Sequence, residues 1–136
     1  MSNIGFEVID GKCIIPEGTT TIVDEMDLWD IDFISVEIPN SVTWIDDEGF
    51  GKCSSMRTVD IPNSVSYIGR FAFGYCPSLA AIDIPDSVKV INENAFSYCD
   101  SLREIRISCG VSQICREAFS DCRSLVSISV SSRNPY

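Results

Sequence analysis

The 136-residue chain contains no histidine. That one absence excludes Ser-His-Asp and Cys-His catalysis and every histidine-ligated metal site. Cations are scarce as well, with ten Lys and Arg against twenty Asp and Glu for a net charge of −10. Phosphate recognition needs clustered Lys and Arg, so no nucleic-acid partner is expected. The deficit is one-sided. Residues 1–50 hold twelve carboxylates against a single lysine, Lys12, a balance of −11, whereas residues 51–136 hold eight against nine cations, a balance of +1. No stretch approaches the roughly 20 apolar residues of a membrane helix. Met1 to Glu7 show neither the basic start nor the apolar run of a signal peptide, which favours a cytoplasmic chain. There is no Gly-rich phosphate loop and no pair of close cysteines at zinc-site spacing, so no cofactor and no metal are expected.

What is present is repetition. Ile15-Pro16, Ile38-Pro39, Ile61-Pro62 and Ile84-Pro85 follow one another at 23-residue intervals, and Ile107 and Val130 continue the series with Ser in place of Pro. The same interval links Val42, Val65, Val88 and Val111, and also Ile22, Ile45, Ile68, Ile91 and Ile114. Phe50, Phe73, Phe96 and Phe119 keep step, as do Cys53, Cys76, Cys99 and Cys122. So many registers in phase mark a repeat architecture. The reading is one domain, residues 1–136, with repeats 15–37, 38–60, 61–83, 84–106 and 107–129 and a C-terminal end at 130–136.

Within a unit, Leu102-x-x-Ile105-x-Ile107 alternates with period two, a short strand with Ile105 and Ile107 inward. The proline of Ile84-Pro85 removes a donor and ends the ladder there. Val88-x-x-Ile91 reads as a second short extended or turn segment. Asn92 is placed to cap a helical turn, in which Ala95, Phe96 and Cys99 share an apolar face. One unit cannot cover that face alone, so the units must stack.

The pattern I-P-x-S-V-x-x-I-x-x-x-A-F-x-x-C-x-S-L-x-x-I resembles the BspA-like class of leucine-rich repeats over about residues 15–131. The resemblance implies an α/β repeat solenoid, a right-handed superhelix with a parallel concave sheet and short helical turns. It also implies kinship with bacterial surface proteins that adhere to other proteins, hence a surface location where a leader has been removed.

The ends depart from the pattern. In the first unit Asp27, Asp30 and Asp32 stand where later units have Phe, Cys and Ser, and Met26 stands for Ala. Ahead of it, Phe6 to Ile9 and Lys12 to Ile15 flank Asp10-Gly11, a two-residue hairpin signal. Residues 1–14 are therefore read as an N-terminal hairpin cap whose second strand, through Cys13, starts the parallel ladder. At the other end the strand Val126 to Val130 has no such device, and a bare strand edge would offer a route to self-association.

Four cysteines in one register would stack at about the 4.8 Å strand spacing with parallel bond vectors. Disulfides need converging vectors, so a ladder of buried thiols is expected. The outward strand positions form the candidate binding face. Glu37, Asp60, Asp83, Arg106 and Ser129 make one row, Ser35, Thr58, Ala81, Glu104 and Ser127 a second, and Ile34, Arg57, Ala80, Arg103 and Val126 a third. Adjacent carboxylates repel, so the acidic row reads either as a site for a basic peptide or cation or as a solvated strip. Trp44 and Tyr67, beside Val90, form one aromatic stripe, and Trp29, Tyr75 and Tyr98 a second, interrupted by Lys52. These are either contact surfaces or rings laid flat as packing between repeats. The function expected is a non-catalytic protein–protein interaction module, and the alternative is a structural spacer or a fragment of a larger adhesin.

Overall fold

The computed structural model describes residues 6–131. The first residues of the hairpin cap and the last of the C-terminal end lie outside the described residues. The chain forms a parallel-sheet solenoid of about five turns. It opens with a hairpin of β1 (Glu7–Ile9) and β2 (Lys12–Ile14), paired antiparallel. Asp10 and Gly11 both take positive φ, 50° and 79°, the turn whose twist matches the flanking strands. From β2 onward every pairing is parallel and every partner lies 23 residues on. β2 pairs with β4 (Ser35–Glu37), and β4 with β6 (Thr58–Val59). Further along, β8 (Ala81–Ile84), β10 (Glu104–Ile107) and β12 (Ser127–Val130) form a second run of the same face. Between β6 and β8 the ladder lapses, although the Ala80 N–H still donates to the Arg57 carbonyl at 3.2 Å.

The segments expected to be extended or turn form a sheet of their own. β3 (Thr21–Ile22), β5 (Trp44–Ile45), β7 (Tyr67–Ile68), β9 (Val90–Ile91) and β11 (Gln113–Ile114) pair in that order, two residues each. Between the two sheets the proline carbonyls of Pro39, Pro62 and Pro85 each accept the N–H three residues on, from Val42, Val65 and Val88. The proline that stops one ladder thus opens the turn to the next.

The third side of each unit differs from its expected helical turn. Two short 3-10 helices, Asp24–Met26 and Leu28–Asp30, occur in the first unit. In later units the segment is a chain of three-residue turns with left-handed residues at Lys52, Tyr75, Asn94 and Tyr98 (φ 58–65°). Asn92 caps no helix. Its side-chain amide donates to the Ile68 carbonyl of the preceding unit at 2.7 Å. Backbone donors on this side also reach across units. The N–H groups of Phe50, Phe73 and Phe96 donate to the carbonyls of Ala72, Ala95 and Ala118, each at 2.8 Å. A helix would have kept those bonds within one turn, where they could not tie neighbours together.

All three sides close on a single core. Val36, Val59, Ile82 and Ile105 enter from the concave sheet, Ile45, Ile68 and Ile91 from the second sheet, and the phenylalanines from the turns. Successive Phe rings lie parallel, with centroids 5.3, 5.1 and 5.5 Å apart from Phe50 through Phe119. The first unit solves its acidic substitutions by changing register. Asp27 takes a left-handed turn (φ 54°), and Leu28, Met26 and Phe33 supply the buried side chains.

Candidate functional site

The strands of the concave sheet hold their inward residues at Cys, Val or Ile in every unit, and their outward residues do not repeat. The structure turns the three rows outward, the second in register on neighbouring strands and the third just ahead of them, and exposes all of their residues but the half-buried Ser35. The acidic row is less uniform than its sequence. Lys12 pairs with Glu37 at 3.8 Å, and Arg106 bridges Asp83 at 3.1 Å and Glu104 at 3.2 Å. These are exposed pairs, each contributing about 0–1 kcal/mol. They nonetheless leave Asp60, in the middle of the row, as its one carboxylate without an ion-pair partner among the described residues. Asp60 lies in a hollow of about 380 Å³ that it shares with Thr58, Lys12, Glu37 and Pro62. Arg57 and Arg103, nearer the strand starts, are exposed and carry no ion pair among the described residues.

Both aromatic stripes pack between repeats and stay partly open to solvent. Trp44 lies flat on Tyr67, centroids 3.9 Å apart and planes 12° from parallel, and Tyr75 lies flat on Tyr98 at 4.6 Å and 7°. The rings pack between repeats, yet Trp44, Tyr75 and Tyr98 remain 40–45% exposed. Phe71 joins the second stripe through Tyr75 at 6.1 Å. With Glu48, Gly51, Lys52, Gly74 and Tyr75 it lines a shallow cavity of about 230 Å³. Sequence spacing gave no sign of Phe71, because its register holds Glu48, Asn94 and Glu117 in the other units. Trp29, half-exposed, makes no ring contact with either stripe among the described residues.

Two of the stripe phenols, Tyr67 and Tyr98, are pushed above their ordinary range. Partial burial and then the Asp47 and Asp46 carboxylates raise the Tyr67 phenol, and Asp121 raises that of Tyr98.

All seven cysteines are free thiols. Each of Cys76, Cys99 and Cys122 turns its Sγ–H to the phenylalanine carbonyl of the preceding unit, at 3.1, 3.1 and 3.0 Å. The ladder is thus also a set of donors to backbone carbonyls of the preceding unit. Burial pushes the Cys13 thiol up to about 11 and that of Cys76 up to about 12, and raises Cys53 further. Such thiols are inert at neutral pH, as core residues should be. Among the described residues no helix is long and apolar enough to cross a membrane.

Comparison with known proteins follows this geometry. A family model for the BspA type leucine rich repeat region matches residues 14–135 in six copies. A leucine rich cell surface protein from Faecalibacterium prausnitzii A2-165 is 28% identical, with a TM-score of 0.79. The match covers 90% of this chain and 32% of that one. A leucine-rich repeat protein from Bacteroides ovatus ATCC 8483 is 27% identical with a TM-score of 0.71, covering 90% of this chain and 37% of that one. The T. pallidum leucine rich repeat protein shares the fold at 19% identity and a TM-score of 0.62, covering 93% and 78%. The chain therefore spans about a third of the length of the first two. Among curated proteins no match is found.

Proposed function

Because the chain belongs to the BspA-type leucine-rich-repeat family, whose repeats generally form protein-interaction modules, we propose that it is a non-catalytic binding module working through its concave sheet. The observation that carries this reading is the contrast between the two faces of one sheet. The inward row is uniform, and the outward row builds a hollow around one unpaired carboxylate, Asp60. Such a place receives a cationic side chain from a partner, flanked by Thr58 and by the Lys12–Glu37 pair. Arg57 and Arg103 at the strand starts, and Glu104 and Arg106 beyond, supply the polar rim that interfaces carry.

Capture of a partner from the source organism tests it, with wild type beside Asp60→Lys. Asp60 is exposed and unpaired, so the variant keeps its fold, and partner yield should fall at least tenfold. An unchanged set of captured proteins refutes the concave site.

The exposed ring stacks favour a second reading, in which the stripes are contact surfaces, since burial of exposed aromatics dominates many interfaces. The last described unit adds an apolar patch, with Val126 at 74% exposure and Ile128 at 50% where its counterparts Ile82 and Ile105 are buried. Contact through β12 with a second copy would cover it, and sedimentation equilibrium of the chain across a hundredfold concentration range reads this directly. The competing role of spacer in a larger surface protein predicts capture of nothing by any face.

A further inference from the structure

The row Thr21, Trp44, Tyr67, Val90 crosses the second sheet in strict register. Tyr67 covers one face of the Trp44 indole at 3.9 Å. On the other side its register partner in the neighbouring unit is Thr21, which has no ring, and Trp44 is 41% exposed. The stack thus lacks a layer on its Thr21 side. Carboxylates lie beside the stack. Asp46 and Asp47 directly follow Trp44-Ile45, and Asp24 occupies the register of Asp47 one unit back. Asp46 accepts the Asp47 N–H and Asp47 the Arg70 N–H, both at 2.8 Å. Both carboxylates act on the Tyr67 phenol, so they lie within electrostatic range of the stack. The Arg70 guanidinium, which acts on the same phenol in the opposite sense, is itself paired with Glu93 at 3.9 Å.

We infer that the free face of Trp44, with Asp46 and Asp47, receives an arginine side chain from an extended basic segment of a partner protein. The inference rests on the interaction-module reading and names the partner chemistry for the first aromatic stripe. Three properties select arginine. A guanidinium is planar and completes the stack at ring-to-ring distance. Its fork of N–H donors reaches carboxylate oxygens left over after the backbone bonds, whereas a lysine ammonium has no flat face to stack. Charge steers the choice too, because the first 50 residues carry a balance of −11.

The chain has two tryptophans, so Trp29→Phe leaves Trp44 as the sole tryptophan, excited selectively at the red edge of the indole band. The probe is the peptide acetyl-Gly-Arg-Gly-Arg-Gly-amide, compared with the same peptide carrying neutral citrulline. The arginine peptide should perturb Trp44 emission saturably at low salt and less at high salt, and the citrulline peptide should bind at least about tenfold more weakly. Asp46→Asn with Asp47→Asn keeps the oxygens that accept backbone N–H groups, so the thermal midpoint should hold. Affinity for the arginine peptide should then drop about tenfold. Equal binding of the two peptides, an unaltered affinity in the Asn variant, or no saturable signal up to roughly 10 mM peptide would each overturn the inference. None of these outcomes bears on the concave site, for which Asp60→Lys in partner capture is the separate readout.

Discussion

Phe73 lies at the centre of the ring column, fully buried, with Phe50 at 5.3 Å on one side and Phe96 at 5.1 Å on the other. Truncation to alanine withdraws roughly 120 Å² of apolar surface, worth about 3 kcal/mol at ~25 cal/mol/Å². It also removes two stacked pairs, each contributing about 0.5–1.5 kcal/mol. The sum, about 4–6 kcal/mol, lies at the upper end of the range for core phenylalanines, and is a large share of the 5–15 kcal/mol typical of a domain. Phe119 gives the internal control. It is half-buried and stacks only on Phe96 at 5.5 Å, so half the area and one pair remain to be lost, about 2 kcal/mol. Urea denaturation followed by far-UV circular dichroism, wild type beside Phe73→Ala and Phe119→Ala, measures both. The column argument requires the central variant to lose at least about 1.5 kcal/mol more than the terminal one. Losses equal within about 0.5 kcal/mol would refute it, because they would mean that the repeats do not share their packing across units.

Three further outcomes follow from the same architecture. In the native state a thiol reagent should react promptly with the partly exposed Cys109, Cys115 and Cys122, and with Cys13, Cys53, Cys76 and Cys99 only as the chain unfolds. A fast reaction of all seven would contradict the buried ladder. Alkaline stability should be limited by those buried thiols. Their folded pKa values lie above the unfolded value near 9, at about 11 for Cys13 and about 12 for Cys76. Their contribution is therefore complete below pH 9 and declines as pH rises toward 11–12, at about 1.4 kcal/mol per pH unit for each thiol. Urea midpoints from pH 7 to 11 should be flat and then fall, and a Cys76→Ala chain should fall less steeply. Gly69→Ala should destabilise by about 1–3 kcal/mol, because a Cβ there would stand 2.6 Å from the Asp47 backbone nitrogen. A thermal midpoint unchanged from wild type would show that the two units are not so closely packed.

The core was legible because burial acts on side-chain character, and an apolar position returning every 23 residues leaves a trace in the sequence. Cys13 in the Val36 register was enough to place the hairpin strand at the start of the ladder, as found in β2 and β4. The turn side was not legible. An A-F-x-x-C run has the spacing of one helical face, and nothing in it reveals left-handed residues such as Tyr98 or donors spent on the next unit. Asn92 shows the same limit, since a capping residue and a cross-unit amide donor are one residue type. On the concave face the row Glu37, Asp60, Asp83 could be read from the sequence. That two of its three charges are neutralised depends on where Lys12 and Arg106 reach, and side-chain reach across strands is a property of the fold. Phe71 was invisible for a related reason: it occurs once and belongs to no repeating register.

The bonds on the turn side have a sense as well as a spacing. Phe50 donates forward to Ala72, Phe73 forward to Ala95 and Phe96 forward to Ala118, with Lys52, Tyr75 and Tyr98 doing likewise to Gly74, Ser97 and Ser120. A β-strand edge accepts a neighbour in either orientation, but a column whose cross-unit backbone donors lead forward does not. It works like a ratchet rail, along which only a unit presenting carbonyls backward can couple. Two copies meeting tail to tail about a twofold axis would bring donors against donors on this side, even where their β12 strands could pair. The rail favours head-to-tail coupling, which adds units without closing, and so gives the solenoid a direction along its axis.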